Sequence, residues 1–192
     1  FPLLWMLSVS FMSTGEAAVF PPPLLPGRWT LEHYRDLFVN QGMGRYMWNS
    51  FALATLATML ALAFTVPAGY AFAKLTFKGR DRLFQLLIGA LGVPAQIGTL
   101  PLFLMLKSMG LVNTYAGALV PWLASIFGLF LVRQYALSIP DEMLEAARVD
   151  GATEGQIFRR IVLPTLTPIL VTLGLFVFLG SWNDFMWPLI IL

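Results

Sequence analysis

Four long runs without a charged residue constrain this chain more than any other feature of its sequence. Each run is longer than the roughly 20 residues with which an α-helix crosses the hydrocarbon core of a bilayer. Over the whole chain 58% of the residues are hydrophobic and 11% are charged, whereas soluble domains carry about 25% charged residues. The pattern therefore predicts a membrane protein. The runs extend over residues 46–73, 83–106, 108–132 and 161–183.

The runs are continuous, as in ATLATMLALAF, and do not alternate over about 10 residues as the strands of membrane barrels do. They predict an all-α fold, a polytopic transmembrane helical bundle that forms a single domain over residues 1–192. Pro94 and Pro101 both fall in the run 83–106, which we expect to be kinked because each proline frees a backbone carbonyl. Residues 1–12 are interpreted as part of another span, and residues 13–45 as an outer segment.

Both ends of the chain lie inside apolar stretches. It begins at Phe1 rather than at a methionine and stops at Leu192 within MWPLIIL. We expect a fragment that lacks parts of both ends and contains one partial and four full spans, with a possible sixth span beginning after Leu192. A cleaved signal peptide is the alternative for the start, but residues 1–12 have no basic leader and no small-residue cleavage site.

Composition limits the chemistry. There is no cysteine, which excludes a disulfide framework and a thiolate metal site, and the single histidine, His33, cannot build a zinc site. The net charge of +2 is too small to attract the phosphates of a nucleic acid, which argues against a nucleic-acid partner. The chain also lacks the G-x-x-x-x-G-K-[ST] loop that cradles nucleotide phosphates.

Basic residues predict how the chain is oriented. Lysine and arginine are enriched in the cytoplasmic loops of membrane proteins. The segments 74–82 and 133–160 contain eight of them, whereas the segments on the opposite side contain four, so these two loops are predicted to be cytoplasmic. The eight are Lys74, Lys78, Arg80, Arg82, Arg133, Arg148, Arg159 and Arg160, and the four are Arg28, Arg35, Arg45 and Lys107.

The loop SIPDEMLEAARVDGATEGQIFRRIVLP, which begins at Ser138, predicts two short helices. Pro140 suits the first turn of the first helix, and Gly151 can take the left-handed conformation that ends it. Thr153 followed by Gln156 resembles a capping box, which starts the second helix at once. The loop over residues 138–160 is therefore predicted to be a hairpin of two helices.

Apolar residues on the first of these helices suggest a contact surface. Met143, Leu144 and Ala147 have no obvious cover in this chain, so docking of the helix into a groove of another protein is one interpretation. A helix lying on the lipid headgroups is the other.

The loop also resembles a family signature. Its pattern of Glu145-Ala146-Ala147, then Gly151, Ile161 and Leu163-Pro164 is similar to the signature loop of ATP-binding-cassette (ABC) importer permeases at every fixed position. The rest of the chain resembles the maltose and multiple-sugar branch of that family. Similar stretches are FPLLWMLSVSF, PPPLLPGRWTLEHYRDLF, GYAFAKLTFKGRD, GLVNTYAGALV and SWNDFMWPLIIL.

This resemblance implies a division of labour. The chain would form the path for a sugar in the cytoplasmic (inner) membrane and would not itself be an enzyme. ATP and magnesium would be bound by a partner dimer that docks on the 138–160 loop, and the chain would need no cofactor of its own. A second permease subunit, an extracytoplasmic solute-binding protein and membrane lipid are the other implied partners.

Other functions stay open at this point. A permease for an amino acid, a peptide or a polyol would share the signature loop. An ion-driven transporter would need ionisable groups inside the spans, and a membrane enzyme would need a convergent set of polar residues at depth. The four runs contain no charged residue and no such set.

Individual residues carry two interpretations each. Glu145 is interpreted as a coupling residue, and the alternative is a surface carboxylate paired with Arg148 or Arg160. Asp184 is a candidate for the substrate path, or simply a helix-end residue just outside the hydrocarbon. The aromatic and amide groups beside it suit a sugar, and Trp187 is interpreted as an interfacial residue. The candidates for the substrate path are Trp182, Asn183, Asp184 and Phe185.

Overall fold

The computed structural model describes residues 2–192, and the regular elements within that range are all helical. This confirms the all-α prediction. Contacts between α-carbons divide the chain into two compact units, one ending at Ser50 and the other comprising Phe51–Leu192.

The first unit contains short helices joined by a proline-rich stretch. Trp5 and Ser8 of the first helix donate hydrogen bonds to the backbone carbonyls of Pro23 (3.3 Å) and Leu24 (2.6 Å), so the proline-rich stretch is held against this helix. The elements are α1 (Pro2–Val9), a 3-10 turn (Glu16–Ala18), α2 (Glu32–Arg35) and a π-helical turn (Asp36–Asn40).

Helix α3 (Met43–Lys74) is the longest element, with 32 residues. Alanine, leucine and methionine fill its centre, and these residues have high helix propensity. Pro67 lies inside the helix without interrupting it. The helix covers the whole of the predicted run 46–73.

The other three apolar runs are each divided by a sharp bend. The bends measure 103°, 45° and 76° in chain order. The first separates α4 (Arg80–Ala90) from α5 (Ala95–Ser108). The second separates α6 (Tyr115–Leu119), with its 3-10 turn (Val120–Trp122), from α7 (Ile126–Leu137).

Prolines explain part of this pattern. Pro94 forms the N-cap of α5 with a non-helical ψ of 128°, and a proline disfavours the helical conformation at the residue before it. The predicted kink in 83–106 therefore occurs at Pro94, while Pro101 lies within an unbroken helix. The bends near 123–125 and at Leu166 were not predicted.

The remaining helices follow α7. They are α8 (Asp141–Val149), α9 (Glu154–Ile157), a π-helical segment (Phe158–Val162), α10 (Leu163–Thr165), α11 (Thr167–Trp182) and α12 (Met186–Ile191). The third bend lies between α10 and α11.

Small residues let the central helices of the second unit approach closely. A Cβ atom added to Gly69 of α3 would lie 2.6 Å from Val132 Cγ1 of α7. A Cβ atom added to Gly128 of α7 would lie 2.8 Å from Leu173 Cδ1 of α11. Glycine is therefore required at both crossings, as at many contacts between membrane helices.

One helix, α3, is long and apolar enough to cross a membrane, and up to four crossings result if each bent pair counts as one span. The boundaries predicted for the last three spans do not coincide with single helices, because the chain breaks inside each of them. The number of spans stays a prediction.

Candidate functional site

Helix α8 starts the loop predicted to contact a partner. Pro140 is its N-cap, and Asp141 and Glu142 occupy its first turn, where their negative charge complements the positive end of the helix dipole. Its last turn contains Arg148, whose positive charge complements the negative end of the helix dipole.

The turn after α8 is a Schellman motif at Gly151. The amide of Gly151 donates to the carbonyl of Arg148 at 3.0 Å, and the amide of Ala152 donates to the carbonyl of Ala147 at 2.9 Å. Gly151 has a φ of 84°, a conformation that favours glycine because a Cβ is costly there. The predicted left-handed turn is confirmed.

The second helix of the loop begins with the predicted capping box. Gln156 Oε1 accepts from the amide of Thr153 at 2.8 Å, and Thr153 Oγ1 accepts from the amide of Gln156 at 3.4 Å. Backbone groups that a helix start leaves unpaired are thus satisfied within the loop. We call α8 and α9 together the coupling hairpin.

An ion pair links the two helices of the hairpin. Arg148 Nε donates to Glu154 Oε1 at 2.7 Å. This hydrogen bond lowers the pKa of Glu154 from its ordinary value, and burial of the carboxylate opposes the shift. The same bond raises the pKa of Arg148. Arg148 therefore pairs with Glu154, and the ion pairs of the described residues do not include Glu145.

The apolar residues of α8 are only partly uncovered. Leu144 is 1% exposed and belongs to the main hydrophobic core, against which Ala147 packs. The expectation that Leu144 has no cover in this chain is wrong, because core residues from distant parts of the sequence meet it. Met143 and Val149 do remain open, at 39% and 88% exposure.

The residues of the signature pattern separate into two groups. Glu145, Ala146, Gly151 and Pro164 are exposed. The others, Ala147, Ile161 and Leu163, are half-buried and pack against the main core. One group is thus available to a partner while the other attaches the loop to the rest of the chain.

The end of α3 holds the hairpin from the other side. Lys74 Nζ donates to the backbone carbonyl of Ile139 at 2.6 Å and to Asp141 Oδ1 at 2.7 Å. One turn earlier, the Tyr70 hydroxyl donates to Glu154 Oε2 at 3.4 Å. From the sequence, Lys74 was identified only as a basic residue that indicates orientation. The spacing of four residues between Tyr70 and Lys74 places both on one face at the end of an apolar helix. That spacing was the sequence signal that could have indicated this contact.

The four candidates for the substrate path do not form one site. Trp182 stacks on Phe178, with ring centroids 5.9 Å apart. The Asn183 side chain donates to the backbone carbonyl of Leu179 at 2.7 Å, and Phe185 is 70% exposed. Asp184 lines a cleft.

That cleft is open, about 690 Å³ in volume, and mainly apolar. Its polar side chains are those of Gln96, Thr99 and Asp184. Asp184 Oδ1 also accepts from the amide of Trp187 at 3.2 Å, at the start of α12. Trp187 is 7% exposed, and its indole Nε1 donates to the carbonyl of Gly117. The interpretation of Trp187 as interfacial stays a prediction.

Known proteins are similar to this chain in sequence. The chain is 38% identical to an arabinooligosaccharides transport system permease, AraQ, of Halalkalibacterium halodurans, over all of this chain and 70% of the relative. It is 33% identical to an sn-glycerol-3-phosphate transport system permease, UgpE, of Salmonella typhi, over 99% of this chain and 71% of the relative.

A solved structure supports the same conclusion about the fold. A chain of a bacterial ABC transporter involved in the import of the acidic polysaccharide alginate superimposes with a TM-score of 0.86 at 27% identity. The match covers all of this chain and 68% of the other. Among the relatives, this chain spans between 60% and 71% of their own lengths.

The family model of the binding-protein-dependent transport system inner membrane component matches residues 65–192, which include the hairpin, the Gly151 turn and the Asp184 cleft. The chain therefore belongs to this family, the permeases of ABC importers.

Proposed function

We propose that this chain is a membrane-spanning subunit of an importer for a carbohydrate, with ATP hydrolysed on a separate subunit. The coupling hairpin carries this proposal. Its outer face presents Glu145, Ala146 and Val149 to a partner, while Leu144 anchors it to the core. A short helix that is fixed on one side and open on the other is suited to helix-in-groove recognition.

The partners follow from this role. A dimer of ATP-hydrolysing subunits would dock on the coupling hairpin, and ATP and magnesium would be bound there rather than on this chain. A second permease would complete the translocation path, and an extracytoplasmic binding protein would deliver the solute. Membership of the binding-protein-dependent family supports this assembly.

A neutral carbohydrate is the proposed solute. The AraQ relative is named for arabinooligosaccharides, which carry no charge. The similar solved structure is named for the acidic polysaccharide alginate, so it supports a carbohydrate but not a neutral one. The charged side chain that lines the cleft is the carboxylate of Asp184, which would accept hydrogen bonds from sugar hydroxyls and repel an anion at close range.

A phosphorylated small solute is the second candidate. It is favoured by the similarity to the sn-glycerol-3-phosphate permease of Salmonella typhi. The two candidates differ in charge, so a transport assay can separate them.

The assay would use the full importer reconstituted in vesicles with its binding protein. Labelled arabinotriose, lactose and sn-glycerol 3-phosphate would be offered separately, with and without ATP. We expect ATP-dependent uptake of a neutral sugar and no ATPase activity from the purified chain alone. Uptake of sn-glycerol 3-phosphate alone would overturn the carbohydrate proposal, and hydrolysis by the isolated chain would overturn the division of labour.

We further propose that the chain lies in the cytoplasmic membrane with the loops 74–82 and 133–160 inside. Exposed positions allow a test with single cysteines, since the chain has none of its own. Lys78→Cys and Gly155→Cys should resist an impermeant thiol reagent added to intact cells, whereas Leu25→Cys should react. Labelling in the reverse sense would invert the orientation.

A further inference from the structure

Lys74 is a buried cation at the end of the longest helix. Its side chain is 6% exposed, although a lysine at a helix end can usually extend its ammonium group into water. Here one partner, Asp141, is the first residue of the coupling hairpin, and the other, Ile139, lies two residues before it. They are 67 and 65 residues along the chain from Lys74. Both hydrogen bonds of the ammonium group therefore attach α3 to the start of the hairpin.

Burial makes this contact specific. An ammonium group out of water is stable only when paired and hydrogen-bonded, and removing one partner leaves an uncompensated charge. Asp141 supplies the opposite charge, and the carbonyl of Ile139 accepts a second bond at the end of the α7–α8 connection. Displacing the hairpin from α3 would break both bonds together.

A second contact lies one helical turn away on α3. Tyr70 donates to Glu154, which also accepts from Arg148 of α8. Between the two polar contacts, Tyr70 and Ala73 share one hydrophobic core with Leu144 and Ile157. Successive turns of α3 thus hold both helices of the hairpin.

The route along the chain offers a weaker connection. From the hairpin into α11 the backbone passes the 76° bend at Leu166, and bends of this kind are where helices rotate against one another. Helix α3, in contrast, is unbroken from Met43 to Lys74.

We propose that Lys74 is a positioning residue that makes α3 and the coupling hairpin move as one body. A displacement imposed on the exposed face of the hairpin then enters α3 directly through the Lys74 contact. This inference rests on the proposed docking of an ATP-hydrolysing subunit at the hairpin.

The test measures the distance between spin labels at Ala71→Cys on α3 and Gly155→Cys on α9, in the full importer. Adding Mg-ATP and vanadate traps the closed state of the ATP-hydrolysing dimer. With Lys74 present, the distance should be the same before and after trapping. In Lys74→Met it should shift or broaden on trapping, while Lys74→Arg and the exposed control Lys78→Met should behave as the parent protein does.

A functional measurement accompanies it. In assembled Lys74→Met complexes, arabinotriose transported per ATP hydrolysed should fall by about tenfold or more, the factor set by the lower end of the free energy of a hydrogen bond to a charged group. Reduced stability alone would lower the amount of complex and leave this ratio unchanged. Asp141→Asn keeps the Lys74 bond to the carbonyl of Ile139, so it should give a smaller fall in the same direction.

Three results would overturn the inference. One is a label distance that changes equally in parent and Lys74→Met complexes. Another is an unchanged ratio of transport to hydrolysis in both variants. The third is failure of the parent chain to retain the ATP-hydrolysing subunit, which would contradict the proposed function as well, whereas the first two leave it standing.

Discussion

Arg148 Nε lies 2.7 Å from Glu154 Oε1, and this ion pair bridges the Gly151 turn from the last turn of α8 to the first residue of α9. Both groups are partly exposed, at 39% and 52%, so water screens their attraction. The pair matters for positioning rather than for stability, because the Glu154 carboxylate also accepts a hydrogen bond from Tyr70 and so joins both helices of the hairpin to α3.

The hairpin should therefore loosen in acid. The pKa of Glu154 is lowered from its ordinary 4.5, so its contribution is complete above pH 4.5 and is lost as the pH falls through the lowered pKa. A spin label at the exposed Asp150 should become more mobile over that range. Glu154→Gln should be mobile already at neutral pH and respond less to acid. Equal pH responses in both proteins would contradict the prediction.

Gly151→Val should weaken docking of the ATP-hydrolysing subunit. Nothing lies within 4 Å of a Cβ at this position, so the cost comes from the backbone, whose φ is 84°. A left-handed conformation costs a residue with a Cβ about 1–2 kcal/mol. Pull-down of the subunit should drop for Gly151→Val. Gly155→Val is the matched control, since it has open space and no positive φ, and normal assembly of Gly151→Val would count against the docking role.

Glu145→Ala should leave assembly intact and lower transport. The residue is exposed and mid-helix, and alanine is a good helix former. Glu142→Ala removes another exposed carboxylate from the same helix and serves as control. Uptake and pull-down should be measured on the same preparations. If both variants lose uptake equally, Glu145 has no special role in coupling.

Gly69→Ala should destabilise the second unit. Its new Cβ would meet Val132 at 2.6 Å, and overpacking of this kind costs about 1–3 kcal/mol. Gly98→Ala, within α5, meets nothing within 4 Å and should be neutral or slightly stabilising. Thermal unfolding in detergent compares the two variants. A Tm for Gly69→Ala at or above that of Gly98→Ala would refute the close crossing.

Glu16→Ala should expose the segment around Gly27 to protease. The carboxylate of Glu16 accepts a hydrogen bond from the amide of Gly27. It also accepts from the amide and the hydroxyl of Ser13, both at 3.1 Å. These hydrogen bonds lower the pKa of Glu16, and the bond from Gly27 has the largest effect. Trypsin should cleave after Arg28 faster in Glu16→Ala than in Glu32→Ala. Equal rates in the two variants would show that Glu16 does not restrain this segment.

Local chemistry was predictable from the sequence, and contacts over long separations were not. The Gly151 turn and the Thr153–Gln156 box involve neighbouring residues whose types determine the bonds. The burial of Leu144 depends on core residues more distant in sequence, and the partners of Lys74 lie more than 60 residues away. A pattern of apolar residues in the sequence reveals neither the burial of Leu144 nor the partners of Lys74.

The bends illustrate the same limit. The run that holds Pro94 and Pro101 was expected to be kinked, and the bend lies at Pro94. Leu166, at another bend, is an ordinary helix former, but it is flanked by Pro164 and Pro168, a signal that was not used. The substrate-path candidates were grouped by adjacency, yet a helix end sends adjacent side chains in different directions, and of the four it is Asp184 that lines the cleft described above.

Helix α3 has 32 residues, and at 1.5 Å per residue it is a rod of about 48 Å, longer than the roughly 30 Å of bilayer hydrocarbon. A rod of that length magnifies rotation. A tilt of only about 5° about one end moves the other end sideways by about 4 Å, roughly three quarters of the pitch of the helix. A small tilt about the Lys74 end would thus be enough to change which side chains the far end of α3 packs against.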